Sequence, residues 1–403
     1  MSSPSATIPI GYKQTEDGVI PDDWDYRIIG DIISVNHGKS QKNVETDYGR
    51  YPILGTGGVI GWTNHFLHDQ PCVLIGRKGT IDKPQYMETP FWSVDTLFYC
   101  VVKDGYNAKY LFYQFCQIDW YSYNEASGVP SLNSGTIEKI KIPIPDLDEQ
   151  NLIAEILTDF DAQIQALENL IEKKRNIKQG TMQELLTGKT RLSGFNEEWE
   201  TTKLKDFVKT PVTDGPHLTP TFYRTGVPFL SVNNLVDNRV DFTEIRYISE
   251  EDHIQFSKKC KPERNDILLG KAASVGKVAI IDFDLELNIW SPLALIRVNE
   301  KNHPKFVFYC LQSHFILNQI ELFTNSSTQG NIGMGDIELL VFNLPSKVEQ
   351  MAIAEVLSDM DSEIVALEQR FEKAKAIKQG MMQQLLTGRI RLVDPSTPAE
   401  ASA

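Results

Sequence analysis

The sequence predicts an α+β chain built twice. Two similar β-rich domains are separated by two long helices that form an antiparallel coiled coil, giving an internal duplication with pseudo-two-fold symmetry. Three observations predict it. Glu149-Gln150-x-x-Ile153-Ala154-Glu155-x-Leu157-x-Asp159-x-Asp161 returns two hundred positions later as Glu349-Gln350-x-x-Ile353-Ala354-Glu355-x-Leu357-x-Asp359-x-Asp361, and 26 of the 44 residues in 149–192 are identical in 349–392 without a gap. Both copies hold a heptad pattern over about three repeats. The stretches before each copy match far more weakly and break into short β-rich runs punctuated by Gly, Pro, Asn and Asp.

In chain order, residues 1–145 are expected to form the first domain, 146–188 the first helical spacer, 189–345 the second domain, 346–388 the second spacer and 389–403 a disordered tail. Both domains open on an acidic stretch around a tryptophan, Asp22-Asp23-Trp24-Asp25 and Glu197-Glu198-Trp199-Glu200. Inside them, Leu74-Ile75-Gly76-Arg77 aligns with Leu268-Leu269-Gly270-Lys271, Lys83 with Lys277, and Trp92-Ser93 with Trp290-Ser291. Strands are expected near 72–75, 98–102, 266–269 and 277–281, and helical patterns only near 110–120 and 305–322.

Each spacer carries its own helix start, because Asp146-x-x-Glu149 and Ser346-x-x-Glu349 read as capping boxes directly after Pro145 and Pro345. Ile153, Leu157, Phe160, Ile164, Leu167 and Ile171 make the seam of the first helix. Ile353, Leu357, Met360, Ile364, Leu367 and Phe371 make that of the second. Gly188 and Gly388 are glycine stops, which leaves helices of about 50 to 60 Å at ~1.5 Å per residue. A narrow apolar stripe needs a partner, and the matching stripe on the other helix supplies one. With a whole domain between the copies, antiparallel pairing is the economical arrangement; the alternative is that each helix packs only on its own domain.

A length of 403 residues, with 41% hydrophobic and 23% charged, fits a soluble protein of two or more domains. No apolar run approaches the roughly eighteen residues that span a membrane, and Met1 to Gln14 lacks the basic-then-apolar order of a signal peptide. Cys72, Cys100, Cys116, Cys260 and Cys310 are odd in number and widely spaced, so buried reduced thiols and a cytoplasmic location are expected.

Catalytic patterns are missing from the sequence. Gly188-Lys189-Thr190 imitates the end of a phosphate loop, but the required earlier glycine is Gln183 and the repeat reads Gly388-Arg389-Ile390. Gly270 to Lys277 has one residue too many between its glycines and Val278 where Ser or Thr is needed. Glu172-Lys173-Lys174 imitates part of a nuclease triad, yet it lies on the heptad helix and becomes Glu372-Lys373-Ala374 in the repeat. No Asn-Pro-Pro-aromatic run occurs, and the seven histidines show no metal-ligand spacing, so no metal site is expected.

The opening Gly11-Tyr12-Lys13-Gln14-Thr15 through Ile20-Pro21-x-x-Trp24 is one of three carrying motifs. The others are the junction Ile142-Pro143-Ile144-Pro145 leading to Glu149-Gln150, and the Leu-Leu-Thr-Gly endings at 185–188 and 385–388. Over nearly its whole length the chain resembles the specificity subunit of a Type I DNA restriction-modification enzyme. The resemblance implies two target recognition domains, each reading half of a split site in double-stranded DNA, and paired helices that set the gap and bind two methyltransferase subunits. It implies two restriction subunits as further partners, with S-adenosylmethionine, ATP and Mg confined to partner subunits and no catalysis in this chain. The competing class is a non-DNA adaptor with tandem binding modules.

A formal charge of 40 − 54 = −14 is awkward for a DNA binder, but it is unevenly placed. Residues 26–141 hold 11 Lys+Arg and 11 Asp+Glu, residues 201–345 hold 15 and 17, and residues 146–200 hold 6 and 12. Near-neutral domains and an acidic spacer imply weak DNA binding alone, with partner subunits supplying much of the neutralising charge. Reading bases requires donors and acceptors aimed into the major groove. In the first domain the candidates are Trp62, Asn64, His65, Arg77, Lys78, Thr80 and Lys83; in the second they are His217, Asn233, Asn234, Lys271, Ser274, Lys277, Thr328, Gln329 and Asn331.

Overall fold

The computed structural model describes residues 8–325 and 330–393; Thr328, Gln329 and residues 394–403 of the expected tail lie outside the described residues, whereas 389–393, expected to be disordered, are described with Arg391 paired to Glu149 and Asp23. The chain divides into two compact units, 1–168 with 369–403 and 169–368. The division falls within each of the two long helices, Leu147–Leu185 and Lys347–Leu385, whose 39 residues each correspond to about 58 Å at ~1.5 Å per residue.

In the first unit, Ile33–His37, Leu97–Val102, Cys72–Gly76 and Gln85–Met87 form an antiparallel sheet in that order. The strand Cys72–Gly76 is apolar throughout because both of its faces are covered. Val73 and Ile75 join the core under the helix Ala108–Phe115, while Cys72 and Leu74 pack with Leu54 and Phe91 on the other side. A second sheet runs Trp92-Ser93, Tyr51–Gly55, Gly58–Thr63 and Glu45-Thr46, with its first pair parallel. Asp25–Ile28 pairs with Lys141–Ile144, tying the start of the domain to its end.

The second unit repeats these parts. Thr213-Asp214, Leu293–Ile296, Ile267–Gly270 and Val278–Ile280 form the antiparallel sheet. Arg246–Ile248, Val227–Leu230 and Asn288-Ile289 form the second, again with one parallel pair, and Glu200–Lys203 pairs with Val341–Leu344.

Equivalent hydrogen bonds correct one sequence alignment. Val94 N–H donates to the Leu54 carbonyl at 3.0 Å and Arg77 N–H to Thr96 at 2.8 Å; Trp290 N–H donates to Leu230 at 2.8 Å and Lys271 N–H to Pro292 at 2.9 Å. Val94 therefore matches Trp290, and Trp92 matches Asn288. The expected pairing of Trp92-Ser93 with Trp290-Ser291 is two residues out of register, a shift invisible to pattern because it returns every side chain to the same face. Sequence reading also missed the helix Glu250–Ser257, whose one large apolar residue beside buried Phe256 is exposed Ile254. Its start was legible in Ser249, whose hydroxyl accepts from Asp252 N–H at 3.1 Å.

In each unit the start of one long helix meets the end of the other. In the first, Arg391 pairs with Glu149 and Lys378 with Asp161; in the second, Arg191 pairs with Glu349 and Lys178 with Asp361. Rising numbers on one helix meet falling numbers on the other, so the pairing is antiparallel in both. Ile153 and Leu157 share a core with Leu385, Leu386 and the first domain; Ile353 and Leu357 do so with Leu185, Leu186 and the second. These seam residues thus pack on their own domain as well as on the opposite helix. Of the remaining seam positions, Leu167, Ile171, Ile364 and Leu367 are buried, and Phe160, Ile164, Met360 and Phe371 are half-buried.

The capping boxes need revision. Asp146 does accept from Glu149 N–H at 2.8 Å, but the Glu149 carboxylate does not return to Asp146. It is fully buried and accepts from Trp24 Nε1 at 2.9 Å and from Arg391. Glu349 gives both oxygens to Arg191 at 2.6 Å.

Candidate nucleic-acid interface

Arg77-Lys78-Gly79-Thr80 follows the strand Cys72–Gly76 and turns so tightly that a Cβ on Gly76 would lie 2.0 Å from the Thr80 carbonyl oxygen. Gly79 N–H donates to Pro130 and Leu132 N–H to Arg77, both at 2.9 Å, so this turn is fastened to 130–132. Arg77 donates from Nη1 to the Asp95 carbonyl at 3.2 Å. Lys78 and Lys83 are exposed, and Thr80 is half-buried.

Trp62, Asn64 and His65 are exposed but lie elsewhere. They close the strand Gly58–Thr63 or follow it, whereas the opposite end of that hairpin meets the basic turn's neighbour, Gln85, which donates from Nε2 to the Gly55 carbonyl at 3.0 Å. The length of the strand, at ~3.3 Å per residue, places the two groups about 15 Å apart. Asn64 Oδ1 accepts from Arg50 N–H at 3.2 Å, so that oxygen is committed within the domain.

Two cations near Trp62 escaped sequence reading: Lys42 and Arg50 are exposed, and among the described residues neither is in an ion pair, as is also true of exposed Lys39. Lys42 belongs near Trp62 because Glu45-Thr46 pairs with Thr63 and Trp62 and Glu45 N–H reaches the Gln41 carbonyl at 2.9 Å, and Arg50 because its N–H donates to Asn64 Oδ1; Lys39 sits instead at the other edge of the sheet, its N–H on the Ser93 carbonyl at 2.8 Å. The polar run Lys39 to Asn43 after a strand-like segment was the available signal.

The second domain builds its site on a buried carboxylate. Asp214 is within 2.5 Å of Lys259 Nζ, 3.1 Å of Lys271 Nζ and 3.4 Å of His217 Nε2. Burial pushes its pKa up, but the hydrogen bonds from Lys259 and Lys271 outweigh that and hold the carboxyl below the usual range. Lys271, expected as a free contact, is therefore a mostly covered partner of Asp214, and Lys259 was missed altogether. His217 remains exposed at the tip of its loop. Next to it, a Cβ on Gly215 would lie 1.7 Å from the Ile289 carbonyl oxygen, so this backbone approach admits only glycine.

Asn234 is buried, contrary to its expected role as a reader. Its Oδ1 accepts from Ser231 N–H at 2.9 Å and its Nδ2 donates to the Asp241 carbonyl at 3.1 Å, which leaves exposed Asn233 as the available amide. Lys277 is exposed, while Ser274 is half-buried in the 271–276 turn. Half-buried Asn331 is carried to that turn by Ile332 N–H, which donates to the Lys271 carbonyl at 3.0 Å. The structure thus gathers His217, Lys271, Ser274 and Asn331, with Asp214 and the Lys271 turn between them.

No group of three or more His, Cys, Asp or Glu side chains among the described residues could hold a metal ion. None of the helices among them is long and apolar enough to cross a membrane.

The family model for the Type I restriction modification DNA specificity domain matches twice, at residues 21–178 and 196–379. The chain is 27% identical over 411 residues to the Type I restriction enzyme MjaVIII specificity subunit of Methanocaldococcus jannaschii, covering 94% of this chain and 96% of that one. It is 24% identical over 316 residues to the EcoBI specificity subunit of Escherichia coli, covering 72% and 66%. Among solved structures, the S subunit of a Type I restriction-modification system from M. genitalium superposes with a TM-score of 0.65 at 14% identity, covering 93% of this chain and 97% of that chain.

Proposed function

The chain belongs to the Type I restriction-modification DNA specificity family, and from that premise we propose that it reads a bipartite, asymmetric DNA site. The first domain reads one half, the second domain reads the other, and the antiparallel helices hold the readers about one helical turn apart. Like the relatives it matches, the chain is a specificity subunit of a Type I system, not the methylating or cleaving subunit.

One observation carries the split-site reading: two domains with the same sheet plan present different side chains at equivalent loops. Arg77 is half-buried and hydrogen-bonded to a carbonyl where Lys271 is locked onto Asp214. Equal folds with unequal loops suit two unequal half-sites. In this reading, two adenine methyltransferase subunits and two restriction subunits assemble on the chain in the cytoplasm. S-adenosylmethionine, ATP and Mg act in those partners, and the methyltransferase flips its adenine from the stack. The near-neutral domains fit a reader whose phosphate contacts are completed by its partners.

Mapping methylated adenines genome-wide, in a host carrying this gene with its methyltransferase and in the same host lacking this gene alone, tests the reading. A split motif that disappears on deletion supports it. Methylation unchanged by deletion, together with no salt-dependent sequence-specific binding by the assembled complex, favours the adaptor class.

A further inference from the structure

We propose that the strand Gly58–Thr63 enters the major groove with an apolar ridge, Val59, Ile60 and Trp62, that recognises the 5-methyl group of thymine in the first half-site. This rests on the DNA-reading role above and gives it a chemical selectivity. The three side chains are 46% to 56% exposed, unusual for branched and aromatic residues on one short strand of a folded domain.

A bulge makes the ridge. Gly61 pairs with Ile53 and Val59 with Leu54, so Ile60 is an extra residue on its strand. A regular pleat would send Val59 and Ile60 to opposite faces, whereas here both are open to solvent. The neighbouring strand Glu45-Thr46 pairs only with Thr63 and Trp62, and the Glu45 carboxylate lies against Gly61, which leaves the backbone of 59 and 60 at an open sheet edge. An uncovered apolar edge favours aggregation unless it has an occupant.

Charge identifies that occupant. Lys42 and Arg50 lie at the Trp62 end of the ridge without ion pairs among the described residues, as suits a polyanion. Glu45 and Asp47 share the edge, with the Glu45 carboxylate lying against Gly61, so attraction to phosphate falls to Lys42 and Arg50 at the Trp62 end. The open tip of the hairpin Tyr51–Gly55 with Gly58–Thr63 projects this ridge toward the major groove, where the thymine methyl is the one apolar group on a base edge. The second domain has no such bulge in its Arg246–Ile248 and Val227–Leu230 pair, so the selectivity belongs to one half-site.

The test uses the assembled complex and duplexes in which each thymine of the mapped site is replaced in turn by deoxyuridine, removing only the methyl group. At one or two positions of the first half-site, binding should weaken roughly fourfold, the equivalent of ~0.8 kcal/mol for one buried methyl. That difference should vanish in V59A/I60A and in V59T/I60T, which keeps β-branching, and should be absent from the second half-site. The proposal is overturned by a first half-site without an A·T pair, by no deoxyuridine effect there, or by an effect that persists in both variants. It also fails if the variants lose methyltransferase capture but keep DNA selectivity, since the ridge would then dock protein. Specific binding with no methyl effect refutes the ridge alone; no specific binding at all refutes the DNA-reading role itself.

Discussion

Arg391 Nη2 lies 2.9 Å from Glu149 Oε2, although 242 residues separate the two in the chain. The carboxylate is wholly buried, and Trp24 Nε1 and Leu392 N–H also donate to it. The same unit is closed by Tyr12, whose hydroxyl donates to the Gly388 carbonyl at 3.0 Å, and by Gln114, whose amide donates to the Leu386 carbonyl at 2.9 Å. The first domain therefore depends on the end of the second helix.

Substituting Arg391→Ala should destabilise the first unit by about 3 to 5 kcal/mol, because a buried carboxylate loses its counter-ion. Urea unfolding followed by tryptophan fluorescence in a variant that keeps Trp24 and carries Phe at the other five tryptophans reads this, and a loss below about 1 kcal/mol would show that Trp24 and the Leu392 amide satisfy Glu149 alone.

Of these relationships, the sequence disclosed the ones that repeat locally. The heptads, the duplicated ends and the strand Cys72–Gly76 follow from periodicity within a few residues. Glu149 looked like a capping residue because its true partners, Trp24 and Arg391, are remote in sequence and no local spacing reports them. Asn234 looked like a reader because an exposed and a buried amide are the same letter; its commitment to Ser231 and Asp241 is set by the turn. Lys42 and Arg50 come together only when Glu45-Thr46 pairs with Trp62 and Thr63.

Asp214 gives the second domain an acid-sensitive site. Its pKa is lower folded than unfolded, so its stabilising contribution is complete above the unfolded value of about 3.9 and is lost as pH falls through the folded value. Stability measured from pH 6 to pH 3 should decline less steeply in Asp214→Asn than in the unsubstituted protein. At pH 7 this variant should be less stable by about 3 kcal/mol, since Lys271 is left largely covered and unpaired. Parallel pH curves would place the acid sensitivity elsewhere.

The thiols should divide four to one. Burial pushes Cys72 and Cys260 up to about 12 and leaves Cys310 and Cys100 raised as well; Cys116 is also pushed up, to about 11, so exposure and not a lowered pKa sets it apart. Alkylation at pH 8 under native conditions should label Cys116 first and the other four more slowly by at least about two orders of magnitude, as followed by intact mass. Rapid uptake of several equivalents would contradict the buried placements.

Lys42 and Arg50 should act through phosphates. Replacing both with Ala should reduce the salt dependence of specific binding by about two phosphate contacts, a change of roughly 1.8 in the slope of log K against log salt. Binding should weaken uniformly across sequences, leaving the preferred site unchanged. A changed motif with an unchanged slope would make them base readers.

The proposed ruler makes the last expectation quantitative. Seven residues inserted into the first long helix alone displace its later residues by about 10 Å, while Asp361 and Glu349 on the other helix stay in place, so Lys178 and Arg191 can no longer meet them. That variant should lose the split-site methylation. Equal insertions at equivalent points of both helices restore every pairing, because the antiparallel seam keeps its heptad phase. The gap between half-sites should then grow by about three base pairs, given ~3.4 Å per base pair, with both half-site sequences unchanged. Methylation mapping distinguishes the outcomes, and an unchanged gap in the matched variant would show that something other than the helix pair sets the separation.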